Sequence, residues 1–103
     1  MKPYKKYDDF LMEHLKNPKE AEAYLNESLK AGDKKAFLLA LRNVVRARGG
    51  MTKVSRGLKM HRVSLYKMLS ADGNPGLDSL LALLNALGAH LSIINKPRHG
   101  RAA

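Results

Sequence analysis

Apolar residues recur along most of the chain at intervals of three and four, so the sequence predicts an all-α protein. The clearest stripe lies in residues 34–48, where five apolar side chains fall on one face of a single helix. Residues 89–94 alternate in part and predict one short strand, which cannot stand alone and either packs on the helices or pairs with the same strand of a second copy. The other predicted helices are 8–17, 17–32, 77–88 and two short ones within 51–69.

Capping residues and glycines mark where these helices begin and end. Asn17 can cap the second helix, and Gly32 ends it because glycine tolerates a left-handed backbone. Asp33 can cap the third helix, which ends at the glycine pair 49–50. The sequence ADGNPG, residues 71–76, is rich in helix breakers and predicts a turn before the last helix.

The stretch MTKVSRGLKMHRVSLYKML, residues 51–69, has the apolar spacing that a helix-turn-helix requires. Val54 and Leu58, four apart, share a face of its first helix. Leu65 and Met68, three apart, share a face of its second helix. A small serine lets the helices approach each other, and a methionine in the turn can fill the space between them. The stretch therefore predicts a helix-turn-helix that buries one face and exposes the other.

The charge of the chain is concentrated in one segment. The formal net charge is +10, from 19 Lys and Arg residues against nine Asp and Glu residues. Residues 34–71 carry ten of the basic residues and no acid, whereas residues 1–33 have a net charge of −1 and residues 72–103 of +1. A solvated helix face normally mixes both signs, so this acid-free segment predicts a surface that binds a polyanion.

Composition narrows the class of protein. The 103 residues suffice for one compact domain, and the absence of cysteine excludes disulfides, thiolate metal sites and a thiol nucleophile. No apolar run approaches the roughly 20 residues of a membrane span, and the first residues lack the apolar core of a secretory signal. We therefore expect a cytoplasmic protein that joins the nucleoid when it is bound to DNA. No two histidines have metal-ligand or acid–base spacing on one helix, so no metal, cofactor or enzymatic activity is predicted.

Four segments carry a resemblance to known proteins: YLNESL, AGDKKAFLLALRNVVRARGGMTKV, VSLYKMLSADGNPGLDSLLALLNALG and HLSII, roughly residues 17–95. They resemble the Cro/C1-type helix-turn-helix family, and more narrowly the addiction-module antidote proteins, the HigA-like antitoxins. The resemblance implies a five-helix, lambda-repressor-like domain at 33–95 with a short C-terminal strand. An N-terminal helical extension, 1–32, would precede this domain, and a flexible basic tail, 96–103, would follow it. The implied function is a transcriptional repressor that autoregulates its operon and neutralises a RelE-like toxin.

Three positions depart from the family pattern. Lys59 stands in the turn where the family favours glycine, and a left-handed backbone there would cost about 1 kcal/mol. His61 stands where serine usually begins the second helix of the pair, so a poorer cap is expected. Gly76 stands at the start of the last helix, where serine is commoner in the family. This exchange should cost only roughly a few tenths of a kcal/mol.

DNA contacts are predicted on the outward side of the helix-turn-helix. If its second helix enters the major groove, Arg62 is the main candidate for a bidentate contact to guanine, with a phosphate contact as the alternative. Val63 could meet a thymine methyl group. Free backbone N–H groups at the start of the first helix of the helix-turn-helix favour binding of a phosphate. The predicted DNA-binding residues are Thr52, Lys53, Arg56, Lys59, His61, Arg62, Val63, Ser64, Tyr66 and Lys67.

The predicted partners are double-stranded operator DNA, a second copy of the chain and a RelE-like toxin. A homodimer is expected because one helix reads too few base pairs for tight specificity, although the leucines could instead close the monomer core. The acidic residues of 1–32 could suit a basic toxin or could merely keep two helices soluble. The predicted dimer residues are Leu80, Leu84, Leu87, Leu91 and Ile93.

Three alternative functions are weighed against the antitoxin. An orphan Cro/C1-type repressor without a toxin would have the same fold and charge. A toxin-like ribonuclease would also be small and basic, but it needs a sheet around a cleft, and this chain offers one short strand. Non-specific nucleic-acid binding explains the charge but not the apolar spacing of the helix-turn-helix.

Overall fold

The computed structural model describes residues 3–96, and these residues are built around helices. No strand occurs among them, and none of their helices is long and apolar enough to cross a membrane. The prediction of an all-helical protein is confirmed. The helices are α1 (Pro3–Leu15), α2 (Pro18–Lys30), α3 (Lys34–Ala47), α4 (Gly50–Gly57), α5 (Arg62–Met68) and α6 (Leu77–Ala86).

Two predictions about the fold are wrong. Residues 33–95 contain four helices, α3 to α6, rather than five, and the described chain reaches six helices only with α1 and α2. Residues 89–96 form no strand, because a strand needs a neighbour to pair its backbone N–H and C=O groups and the described residues supply none. Except for Lys96, the predicted flexible tail lies outside the described residues.

Side-chain caps begin α2 and α3 where the sequence predicts them. The Oδ1 atom of Asn17 accepts hydrogen bonds from the backbone N–H groups of Lys19, at 2.9 Å, and Glu20, at 3.3 Å. The Oδ1 atom of Asp33 accepts one from the N–H of Lys35 at 3.0 Å. Each bond satisfies a donor that the first turn of a helix leaves without a backbone partner, so both caps fix a helix start.

One hydrophobic core joins the N-terminal helices to the helix-turn-helix. The helix α3 packs against α1, α2 and α4, and α5 packs against α4. The helix α1 begins at Pro3, five residues before the predicted start at residue 8. Proline is well suited to the first turn of a helix, so it can begin α1 there. The largest fully buried side chains come from α1, α3, α6 and residues 65–69, and they are Leu15, Leu38, Leu41, Val44, Val45, Leu65, Leu69 and Leu83.

The turn between α4 and α5 has the two hydrogen bonds of a Schellman motif. The N–H of Lys59 donates to the carbonyl of Arg56 at 3.1 Å, and the N–H of Met60 donates to the carbonyl of Ser55 at 2.9 Å. Lys59 has a φ of 55°, so the left-handed backbone considered from the sequence is confirmed. Met60 is half-buried and packs against the core, as its place in the turn predicts.

Replacing Lys59 by glycine should raise the free energy of unfolding by about 1 kcal/mol, because glycine adopts the left-handed conformation without strain. The end of α6 supplies a matched control: it has the same two hydrogen bonds, with Gly88 at the left-handed position (φ 79°). Gly88→Ala should lower the free energy of unfolding by a similar amount. Urea unfolding measures both variants. A loss in Gly88→Ala without a gain in Lys59→Gly would show that other contacts of Lys59 offset its strain.

Candidate nucleic-acid interface

The helix α5 buries one side and exposes the other. Leu65 has no exposed surface, and Leu69, directly after the helix, is equally buried. Hence α5 is held against the core from its inner face. The predicted contact residues at and beyond its N-terminal end are all exposed: His61, Arg62, Val63, Ser64, Tyr66 and Lys67.

The helix α4 divides in the same way. Met51, Val54 and Ser55 are buried, and the hydroxyl of Ser55 donates to the carbonyl of Thr52 at 3.0 Å. Because serine is small, α5 can pack closely against this face, as the sequence predicts. The predicted contact residues Thr52, Lys53 and Arg56 are exposed, as is Lys59 in the turn.

Gly49 leaves room for the side chain of Lys53. A β-carbon at Gly49 would lie 2.7 Å from the Cδ atom of Lys53, closer than real β-carbons approach. The aliphatic stem of Lys53 therefore lies over the glycine at the start of α4. Any substitution at Gly49 would displace this stem, and the residue also has a positive φ of 119°.

Arg62 connects the two helices of the motif. Its Nη1 atom donates to the hydroxyl of Thr52 at 3.4 Å, and its guanidinium carbon lies 5.9 Å from the centre of the Tyr66 ring. Both neighbours belong to the predicted contact set, so the structure brings three of its members together. A guanidinium held between a hydroxyl and an aromatic face loses less conformational freedom when it binds a ligand.

Five cations on this surface have no carboxylate partner among the described residues. The ion pairs of residues 3–96 involve a single residue from the acid-free segment 34–71, namely Arg46. Uncompensated positive charge on one surface attracts a polyanion. The five cations are Lys53, Arg56, Lys59, Arg62 and Lys67.

Arg46 belongs to the acid-free segment but is held by a hydrogen-bonded ion pair with Asp8 of α1. Its guanidinium donates to both carboxylate oxygens of Asp8, at 3.2 and 2.8 Å, and to the Oδ1 atom of Asn43 at 3.2 Å. The amide of Asn43 in turn donates to the hydroxyl of Tyr24 at 2.9 Å. The hydrogen bonds from Arg46 lower the pKa of Asp8, although partial loss of solvent opposes this change. The network ties α1 and α2 to α3, and no local sequence pattern predicted it.

The predicted dimer residues fall into two groups. Leu84 and Leu87 are only 4% and 6% exposed, and they pack in the core of their own chain. Leu80 is half-buried against that core. Leu91 and Ile93, by contrast, are 42% and 98% exposed and are free to meet another surface.

Sequence reasoning missed the exposed face of α6. Leu77 and Leu81, four apart, are 64% and 41% exposed. Spacing could have identified this pair, but the helix has leucine on nearly every side, so no stripe stands out in the sequence.

An apolar groove of about 490 Å³ lies between α2, α3 and the chain after α6, with Leu25 and Phe37 in its wall.

Comparison with known proteins establishes the family. The model of a family described as "Probable addiction module antidote protein" matches residues 4–95. The chain belongs to this antidote family. The antidote is also 35% identical over 81 residues to an uncharacterized protein of Haemophilus influenzae, a match that covers 79% of this chain and 82% of the relative. No solved structure matches the antidote with statistical significance.

Family membership confirms the resemblance to antidote proteins that the sequence carries. An addiction module pairs an antidote with a toxin, so membership implies a toxin partner. It also favours a regulatory protein over the ribonuclease alternative. The matched residues extend from α1 to the segment after α6, so the N-terminal helices and the helix-turn-helix belong to one family unit.

Proposed function

We propose that this antidote is a sequence-specific repressor of its own operon and the neutralising partner of a RelE-like toxin. The observation that carries the DNA-binding half is the exposed side of α4 and α5, where five cations have no carboxylate partner among residues 3–96 and Arg62 is held between Thr52 and Tyr66. The toxin-binding half is supported by membership in the antidote family. That membership favours the antitoxin over the orphan repressor.

On DNA, α5 lies in the major groove and α4 lies against the backbone. Arg62, at the N-terminal end of α5, reaches guanine O6 and N7, and Val63 beside it meets a thymine methyl group. Lys53 and Thr52, near the start of α4, bind a phosphate, since free N–H groups and the helix dipole favour an anion there. Base contacts thus come from α5, and contacts that carry no sequence information come from α4.

The antidote binds its operator as a homodimer, because two half-sites read by two copies of α5 give the specificity that one helix lacks. The exposed apolar residues at the C-terminal end support this proposal. Leu91 and Ile93 from the predicted dimer set, together with Leu77 and Leu81 of α6, leave apolar surface that a second copy can bury. Leu84 and Leu87 contribute indirectly, by holding α6 in the core.

The proposed function is tested by titrating the antidote against DNA from directly upstream of its own gene and against a scrambled duplex. The wild-type chain should prefer the upstream DNA by about 10³-fold or more, the lower range for specific binders. Arg62→Ala should lose about 2 kcal/mol, roughly 30-fold, on upstream DNA and much less on scrambled DNA. The reason is that a bidentate base contact stabilises only the specific complex.

Lys53→Ala is the matched control, since it removes one exposed cation from the same surface. It should weaken binding to both DNAs alike, and it should reduce the slope of log K against the logarithm of the salt concentration by about one. Equal losses on both DNAs for Arg62→Ala would assign Arg62 to a phosphate. Equal affinity of the wild-type chain for both DNAs would reject a sequence-specific repressor.

A further inference from the structure

The outward face of α1 exposes a stripe of aromatic side chains. Tyr7 and Phe10 are 65% and 66% exposed, and His14 is exposed one turn further on. Their spacing of three and four residues places them on one side of the helix. Large aromatic side chains are enriched in the contact regions of protein interfaces, where they supply much of the binding energy. The stripe Tyr7–Phe10–His14 is therefore a candidate contact surface.

Two of the three rings of the stripe contact each other in the free chain. The rings of Phe10 and His14 are stacked, with centroids 5.6 Å apart and an angle of 18° between their planes. The Nε2 atom of His14 lies 3.3 Å from a carboxylate oxygen of Glu20, which holds the imidazole in place. A surface that is already ordered loses less entropy on binding, so the same contacts yield more affinity.

The helix that carries the stripe is fixed to the core. Leu15 of α1 is fully buried, and Leu11 and Met12 of the same helix are partly buried and pack against the core. The two hydrogen bonds between Asp8 and Arg46 join α1 to α3. The exposure of the aromatic residues is therefore a property of a packed helix.

The charges around the stripe favour a basic protein. The exposed carboxylate of Asp9 lies on α1, that of Glu13 lies 3.5 Å from the Nζ atom of Lys16, and Glu20 lies against His14. Residues 1–33 carry seven acidic residues and six lysines, a net charge of −1, whereas residues 34–71 carry ten basic residues and no acid. A basic partner is thus repelled much less by the α1 side of the molecule than by the α4–α5 side.

We propose that the stripe Tyr7–Phe10–His14 is the docking site for the toxin, a basic protein that receives the aromatic pair in an apolar pocket with a basic rim. The proposal rests on the antitoxin function proposed above. A second copy of the chain is the weaker candidate, because a two-fold dimer uses a single patch and the exposed residues of α6 and 91–94 already offer one. The stripe and the exposed side of α5 lie on helices with different neighbours, because α1 packs on α2 and α3 while α5 packs on α4.

The test measures binding of the toxin, produced from the neighbouring gene of the module, to variants of the full chain by isothermal titration calorimetry. The double variant Tyr7→Ala/Phe10→Ala should bind the toxin at least about 30-fold more weakly, the loss that marks interface hot spots. Leu39→Ala is the matched control, since Leu39 is a 48% exposed apolar residue on α3, and it should change the affinity less than about threefold. Point variants are needed because deletion of residues 1–17 would also remove Leu15 from the core.

The variant should keep the affinity of the wild-type chain for operator DNA and its melting temperature, since both altered side chains are exposed. A second variant, Asp9→Lys, leaves the stripe intact and should slow association with the toxin at least about fivefold at low salt, an effect that high salt removes. Undiminished toxin affinity in the double variant would overturn the docking site alone. The docking site would also be overturned if the double variant changed the free antidote from a dimer to a monomer and kept its affinity for the toxin. A wild-type chain that fails to bind the toxin would overturn the antitoxin function, and the docking site with it.

Discussion

Leu65→Ala should lower the free energy of unfolding by about 3 kcal/mol, within the range for buried leucines that leave a cavity. Leu65 has no exposed surface, and it lies on the inner face of α5. The helix is only seven residues long, too short to be stable without packing. Small domains have total stabilities of roughly 5–15 kcal/mol, so this loss would consume a large part of the margin.

The effect of Leu65→Ala is measured by urea unfolding of the free antidote, with the slope m required to match the wild-type chain. Val63→Ala is the control: Val63 lies on the same helix but is 61% exposed, so its loss should stay within about 0.5 kcal/mol. A loss below about 1 kcal/mol for Leu65→Ala would show that the site collapses around the smaller side chain. In that case the position of α5 would be fixed by the segments that precede and follow it, and packing of Leu65 would contribute little.

Features that depend on near neighbours in the chain could be predicted from the sequence. The caps at Asn17 and Asp33 each involve a bond to a residue two or three positions away, so residue type and spacing suffice. The left-handed turn at Lys59 is expected from the family pattern, which favours glycine at this position, and the inner faces of the two flanking helices follow from the spacing of their apolar residues. The exposed set of the helix-turn-helix follows from the same faces, which is why all ten predicted contact residues are exposed.

Features that depend on distant parts of the chain could not be predicted. Asp8 and Arg46 are 38 residues apart, and nothing around either residue marks the other as its partner. The leucines of α6 pose a different problem, because leucine on nearly every side hides the orientation of the helix. Burial of Leu84 and exposure of Leu77 follow from where α6 meets the core. The strand predicted at 89–94 required a partner strand, and apolar alternation alone supplies none.

The antidote separates its two candidate surfaces by charge and by packing. The acid-free segment supplies the cations of α4 and α5, and the aromatic stripe lies on α1 among exposed carboxylates. Between them lies α3, which packs against both α1 and α4. Since one core supports both surfaces, a substitution that loosens α3 should weaken both activities, whereas substitutions at exposed positions should separate them.

Gly73→Ala should lower the free energy of unfolding by about 3 kcal/mol, the upper part of the range for overpacked sites. A β-carbon at Gly73 would overlap the carbonyl oxygen of Met68, and it would lie 2.8 Å from the carbonyl carbon of Met68 and 3.0 Å from the carbonyl oxygen of Lys67. These are backbone atoms of the last turn of α5, so no side chain can move aside. The N–H of Gly73 also donates to the carbonyl of Ser70 at 2.8 Å, which holds the loop against the helix.

Gly57→Ala is the matched control, and it should act in the opposite direction. A β-carbon at Gly57 meets no atom within 4 Å, and the residue is the last of α4. Alanine there should raise the free energy of unfolding by about 0.5–1 kcal/mol, since glycine loses more backbone entropy in a helix. Urea unfolding of the two variants tests both signs at once. Equal or greater stability in Gly73→Ala would mean that the loop at 71–76 can move away from α5, and the close passage of the loop would then contribute nothing to the position of that helix.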